Sequence, residues 1–129
     1  MTPEAGQFLQ KAHTLLTEAG TMVHTGLHDA AGRNAYLAAY HAARAFIFER
    51  TGQIAKTHNG TQTEFLRLTR NDPRLAPDLR IFLSQAYNLK AIADYETGPG
   101  SEVSPERAAA AVEAAGRFVA RIVERIEGR

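Results

Sequence analysis

The sequence predicts an all-α fold, a bundle of about five helices that run up and down. Residues that favour helices dominate the chain, and no run of alternating β-branched residues indicates a strand. Apolar residues recur three and four positions apart in every long segment, which places them along one face of a helix. Glycine, proline and capping residues separate these segments. The length of 129 residues is typical of one domain, so residues 1–129 are expected to form a single helical unit.

The first helix is predicted to begin at Thr2, because a capping threonine, a proline and an acidic residue follow one another there. Its apolar face consists of Phe8, Ala12, Leu15, Leu16 and Ala19. Gly20 and Gly26 favour an end or a bend after this face.

The second helix is predicted from about Asp29, as its cap, to Arg50, with the pair Thr51–Gly52 as its stop. It is the most apolar piece of the chain, and its apolar residues surround most of its circumference. Such a helix is usually central in a bundle. Its many alanines would allow neighbouring helices to approach closely.

Three more helices follow a connector that is predicted over residues 53–60. The third helix ends at the turn of residues 71–73, and the fourth runs from about Ala76 to Glu96. Glycine and proline at residues 97–100 mark a clear break. The last helix begins at Ser104, where serine, proline, glutamate and arginine form a strong start signal.

Composition and charge exclude several classes of protein. The chain has no cysteine, which excludes disulfides, cysteine–zinc sites, iron–sulfur clusters and thiol catalysis. Fifteen basic and fourteen acidic residues give a formal charge of +1, so the overall charge does not indicate a polyanionic partner. No segment approaches the roughly 18 apolar residues of a membrane span, and the N-terminus has no signal-peptide pattern. We therefore expect a cytoplasmic protein without membrane association.

Histidines are the side chains most able to titrate near neutral pH. His24 and His28 lie four residues apart, the spacing of a metal-binding pair on one helix face. The residues between them lack the glutamate that a zinc-protease helix uses as a base. We therefore expect a solvated pair near a helix bend and no metal site.

His41 lies in the middle of the apolar second helix, near other polar side chains. Tyr36 and Tyr40 are one turn apart, and Tyr40 and Arg44 are also four residues apart, so a phenol and a guanidinium could project together. Polar groups on a buried helix need partners. Two interpretations are open: a core histidine that is hydrogen-bonded to a tyrosine or a carboxylate, or a functional site.

Two acidic residues, Asp94 and Glu96, close the fourth helix. Acidic side chains at a helix C-terminus oppose the helix dipole unless a cation is near them. Arg33, Arg44 or Lys56 could provide that cation, and the acids could equally point into water.

Arginines recur every four residues on the last helix, at positions 117, 121 and 125. Glu113 precedes Arg117 by four, so part of this stripe is expected to form ordinary ion pairs. A solvated face is favoured over phosphate binding.

Three segments together resemble the HEPN family, in a branch of small bacterial and archaeal proteins. They are residues 30–45 (AAGRNAYLAAYHAARA), residues 56–60 (KTHNG) and residues 93–96 (ADYE). They occur in the family's order, and the resemblance extends over nearly the whole chain. It implies a helical bundle that forms a homodimer through its long helices.

The resemblance also implies a function. Many HEPN proteins are endoribonucleases that need no metal or other cofactor, and they are often toxins paired with a nucleotidyltransferase-fold antitoxin. An arginine steadies the RNA phosphate, and a histidine moves the proton of the 2′-OH. Carried over, the catalytic candidates are Arg33 and His41. The binding candidates are Asn34, Tyr36, Tyr40, Arg44, Lys56, His58, Asp94 and Tyr95.

The sequence departs from the family pattern at one point. Seven residues separate Arg33 from His41, whereas the family has four to six, and each added residue turns the histidine by about 100°. The alternative to a ribonuclease is therefore a non-catalytic HEPN module that binds RNA, a nucleotide or a partner protein.

Overall fold

A computed structural model describes all of residues 1–129, and it is all-helical, as the sequence predicts. It has five α-helices and no strand: α1 Pro3–His24, α2 His28–Thr51, α3 His58–Leu68, α4 Pro77–Tyr95 and α5 Pro105–Ile126. None of these helices combines the length and the apolar character needed to cross a membrane.

The predicted start signals of α1 and α5 are confirmed by their caps. The Thr2 hydroxyl accepts a hydrogen bond from the Ala5 N–H at 3.2 Å, and the Ser104 hydroxyl accepts one from the Arg107 N–H at 3.1 Å. The stop of α2 is also confirmed, because Gly52 adopts the left-handed conformation, with φ of 70°.

Two predictions about where helices begin are wrong. The third helix begins at His58, inside the predicted connector, because the Thr57 hydroxyl caps it by accepting from the Gly60 N–H at 2.9 Å. Asp29 does not cap α2, since its carboxylate instead accepts a hydrogen bond from the Val103 N–H at 2.7 Å. This bond ties the start of α2 to the loop before α5.

His24 and His28 do not share a helix face. Helix α1 continues through Gly20 and ends at His24, and Gly26, with φ of 80°, turns the chain before α2 begins at His28. The two imidazoles therefore belong to different helices, and no cluster of three or more potential metal ligands is present.

Helix α2 is the centre of the bundle and packs against the other four helices. Helix α1 is antiparallel to it, since Thr2 bonds Glu49 near the far end of α2. Helix α3 runs parallel to α2, because residues 52–57 return along α2 before α3 begins. His58 therefore lies beside Tyr36, and Phe65 lies beside Phe46 further along.

The core combines small and aromatic side chains. Ala38, Ala39, Ala42 and Ala43 of α2 are fully buried, so the neighbouring helices approach the α2 backbone closely, as their small size predicts. Aromatic rings of four helices fill the space beside them, namely Phe46, Phe65, Phe82 and Phe118.

Candidate functional site

Polar and aromatic side chains gather where α2, the start of α3 and the second half of α4 meet. Four of them follow one line along α2 at spacings of three and four residues, and the others come from α3 and α4. We call this group the Tyr–His cluster: Arg33, Tyr36, Tyr40, Arg44, His58, Tyr87, Lys90 and Asp94.

A hydrogen bond between Tyr36 and His58 is the centre of the cluster. The Tyr36 hydroxyl oxygen lies 2.7 Å from Nδ1 of His58, and the Tyr36 side chain is fully buried. Burial raises the pKa of the Tyr36 phenol far above its ordinary value, so the phenol keeps its proton.

This bond determines the tautomer of His58. Gln62 also hydrogen-bonds the phenol and lowers its pKa, as a donor to the phenol oxygen does, which leaves Nδ1 of His58 as the acceptor for the phenol proton. Tyr36 therefore donates to Nδ1, and the proton of the neutral imidazole is on Nε2. His58 presents an N–H donor, which suits an anionic oxygen.

Aromatic rings surround His58. The centroid of its ring lies 4.5 Å from that of Tyr40 and 5.5 Å from that of Tyr87. Burial lowers the pKa of His58, and the positive charges of Lys90, Arg33 and Arg44 lower it further against the opposing effect of Asp94. The imidazole is therefore neutral near pH 7.

His41 also packs against Tyr40, with the two ring centroids 5.2 Å apart. The expectation of a core histidine bonded to a tyrosine or a carboxylate is wrong, since His41 is half-buried and its Nδ1 faces Nη1 of Arg44 at 3.5 Å. A guanidinium only donates, so Nδ1 is unprotonated there. Burial and the charge of Arg44 lower the pKa of His41 to about 4.

Asp94 is held by two cations. Its carboxylate accepts from Nε of Arg33 at 2.8 Å and from Nζ of Lys90 at 2.7 Å. The bond from Lys90 is the main reason that the pKa of Asp94 is lowered. Of the two alternatives that the sequence leaves open for Asp94, the structure shows pairing with a cation, and Arg33 is one of the three candidates for it. Lys90 was missed, although its position four residues before Asp94 could have indicated it.

Neither Arg44 nor Lys56, the other two candidates, pairs with Asp94. Nε of Arg44 donates to the Ala55 carbonyl at 3.0 Å, and its guanidinium lies over the ring of Tyr40 at 5.3 Å, so these two side chains do project together. Lys56 is exposed and forms no ion pair.

The remaining candidates lie at the edges of the cluster or outside it. Tyr95 is 74% exposed, and Nζ of Lys90 lies 5.5 Å from the centre of its ring. Asn34 is only 7% exposed, which leaves little of it accessible to a large ligand. No hydrogen bond joins Arg33 to His41, and eight helical positions separate them by about 12 Å and 80°.

Tyr87 was missed by the sequence reasoning. It is 38% exposed, and its ring packs edge-on against Tyr36 with centroids 5.3 Å apart. Tyr87, Lys90 and Asp94 are three and four residues apart, so one face of α4 contains all three. This periodicity was the available signal.

The arginine stripe of α5 is divided among different partners. Arg121 donates to the Arg74 carbonyl and to Glu124, and Arg125 pairs with Asp72. The expected pair of Glu113 with Arg117 does not form.

Comparison with known proteins identifies one family. A family model described as HEPN domain matches residues 5–126 of the chain. A search of curated proteins finds no match.

Proposed function

The chain belongs to the HEPN domain family, and from this premise we propose that it binds single-stranded RNA at the Tyr–His cluster without cleaving it. The observation that carries the proposal is the 2.7 Å contact of Tyr36 with Nδ1 of His58, from which we assign the other ring nitrogen as a donor among the cations Arg33, Arg44 and Lys90. Hydrogen-bond donors and positively charged groups both bind phosphate oxygens.

The extent of the cluster supports a strand in preference to a mononucleotide. Arg33 and Arg44 are eleven positions apart on α2, about 16 Å along its axis and on nearly the same side. A single nucleotide would reach only part of this line. Tyr95 offers an exposed aromatic face, and stacking on such faces is typical of proteins that bind single strands.

Fluorescence anisotropy with a labelled, unstructured ten-nucleotide RNA tests the proposal. We expect Arg33→Gln and Lys90→Gln each to weaken binding. Each should also reduce the slope of log K against log salt concentration by about 0.7 per lost phosphate contact. We expect Tyr95→Ala to weaken binding at least about fivefold through lost stacking.

Arg117→Gln is the matched control, because Arg117 is an exposed arginine of α5 with no hydrogen bond or ion pair, and its loss changes the charge equally. If the cluster variants bind RNA as the control does, the proposed location is wrong. If the unmodified protein does not bind RNA, the proposed function is wrong.

RNA cleavage is the second candidate, and the two imidazoles that pack against Tyr40 favour it. The Nδ1 lone pairs of His58 and His41 face Tyr36 and Arg44, so neither is free to accept the 2′-OH proton.

We therefore expect no cleavage of mixed RNA by the protein in EDTA. Cuts with 2′,3′-cyclic phosphate ends that vanish in His41→Ala would establish the ribonuclease instead.

The partners proposed from the family are a second copy of the chain and a nucleotidyltransferase-fold antitoxin. HEPN domains often dimerise, which supports the first. Light scattering after size exclusion would give twice the 14.1 kDa mass of the chain for a homodimer. A nucleotidyltransferase gene adjacent to this one, and co-purification of its product, would support the second partner.

A further inference from the structure

Four arginines line a cavity of about 590 Å³ that is separate from the Tyr–His cluster. They are Arg50, Arg67, Arg70 and Arg125, and they come from the ends of α2, α3 and α5 and from the turn after α3. Along α3, Arg67 is nine positions beyond His58, or about 14 Å.

Helix dipoles explain some of these arginines. Each of the three helices ends near the cavity and has one arginine in its last turn: Arg50, Arg67 and Arg125. A cation in the last turn stabilises a helix. Arg70 lies beyond the end of α3, so the dipoles do not account for its presence.

Nearby carboxylates neutralise only two of the four. Arg67 pairs with Glu64, and Nε of Arg125 donates to Asp72 at 2.9 Å. Neither Arg50 nor Arg70 forms an ion pair. The charge of Arg50 does help to lower the pKa of Asp72, and its guanidinium is held over the ring of Phe46 at 4.6 Å.

Asp72 does not leave a free negative charge in the cavity. Its carboxylate also accepts from the backbone N–H of Arg74 at 3.0 Å. Burial opposes its ionisation, but the bonds from Arg125 and Arg74 lower its pKa, so it stays ionised and paired.

We propose that this cavity binds a phosphate-bearing anion through Arg50 and Arg70, with Arg67 and Arg125 at its edge. Like charges that are brought together repel one another, and an anion between them removes that repulsion. A planar guanidinium group can donate two parallel hydrogen bonds to two oxygens of one phosphate. The proposal does not depend on RNA binding at the Tyr–His cluster.

Isothermal titration calorimetry with inorganic tripolyphosphate tests the site. We expect binding by the unmodified protein and at least a tenfold loss in Arg50→Gln/Arg70→Gln. The control is Arg107→Gln/Arg117→Gln, which removes the same charge from two exposed arginines of α5 and should bind as the unmodified protein does.

The single variant Arg70→Gln tests the site even if the double variant misfolds, because the Arg70 side chain forms no hydrogen bond or ion pair whose loss would weaken the fold. We expect it to weaken binding about threefold and to leave the thermal midpoint unchanged. Equal affinity in the cavity and control variants, or no binding by the unmodified protein, would overturn the proposal.

A free polyphosphate and the phosphodiesters of RNA share this chemistry, and a competition experiment separates them. If a ten-nucleotide RNA displaces tripolyphosphate from the unmodified protein, the cavity takes the phosphates of RNA. If both bind at once, it takes a free phosphate compound. Both results support the site, and they distinguish the two possible sources of the phosphate groups.

Discussion

Burial at Tyr36 determines the chemistry of a residue in another helix. The phenol keeps its proton and has one acceptor, Nδ1 of His58, so the imidazole becomes a donor at Nε2. The neighbouring His41 is neutral for the same reasons as His58, since burial and the charge of Arg44 disfavour the charged form of both rings. His58 of the cluster and the adjacent His41 are therefore both poor proton acceptors near pH 7.

The tautomer of His58 can be measured directly. In ¹⁵N NMR spectra at pH 7 we expect Nδ1 to be unprotonated and Nε2 to be protonated. Tyr36→Phe removes the hydroxyl that keeps the proton off Nδ1, so we expect the neutral ring of this variant to populate both tautomers. Tyr87→Phe is the control, since it keeps the ring contact and the Tyr36 hydroxyl. A protonated Nδ1 in the unmodified protein would contradict the donor argument.

His41 makes stability depend on pH in a defined window. Its pKa is about 4 in the folded chain and has the ordinary value of 6.5 when unfolded. As pH falls below 6.5 the unfolded chain binds the proton first, so the free energy of unfolding decreases until about pH 4. Allowing for solvent screening, we expect a loss of about 1–2 kcal/mol.

Urea unfolding at pH 7 and pH 4.5 measures this loss. His41→Gln should reduce the difference between the two pH values, whereas His13→Gln, at an exposed position of α1, should leave it unchanged. An identical pH dependence in all three proteins would show that His41 is not the group responsible.

Glycine is unfavourable for stability inside α1 and favourable for stability at the end of α2. Gly20 lies within α1, and an added Cβ there meets no atom within 4 Å. Gly52 ends α2 with φ of 70°, a conformation that side chains with a Cβ disfavour. The two sites therefore form a matched pair.

Alanine at these two sites should change stability in opposite directions. We expect Gly20→Ala to raise the free energy of unfolding by about 0.5–1 kcal/mol, because alanine favours a helix. We expect Gly52→Ala to lower it by about 1–2 kcal/mol through the left-handed backbone. Urea midpoints measure both, and a shift of the same sign in the two variants would be inconsistent with this account.

Across the whole molecule, aromatic contacts join helices that are distant in sequence. Phe118 of α5 is fully buried, and its ring lies 5.5 Å from that of Phe65 in α3 and 5.8 Å from that of Phe82 in α4. These contacts position α3 and α4 against the rest of the bundle. Because both helices contribute side chains to the Tyr–His cluster, the contacts also position those side chains.

Truncation of this ring should weaken the entire fold. We expect Phe118→Ala to lower the free energy of unfolding by about 3–5 kcal/mol, because it leaves a cavity in the core. Phe118→Leu should cost less and keep the protein folded for comparison. Tyr95→Ala, at a 74% exposed ring, should change stability by less than about 0.5 kcal/mol. Similar chemical denaturation curves for all three variants would argue against a shared aromatic core.

The sequence by itself determined the five helices and most of their ends. Apolar periodicity and capping residues act over one or two turns, so Thr2, Gly52 and Ser104 could be interpreted without knowledge of the fold. Asp29 could not, because its carboxylate is used by Val103, which is 74 residues away. The HEPN resemblance also came from the sequence, through segments that the family model covers.

Only the tertiary structure decided which candidates act together. The HEPN resemblance emphasised Arg33 and His41, but the path of residues 52–57 brings His58 to Tyr36, and the antiparallel α4 brings Lys90 and Asp94 to Arg33. Hydrogen bonds and charge interactions act over a few ångströms in space, whatever the separation along the chain. Partners on different helices, and the tautomers that they impose, therefore follow from packing.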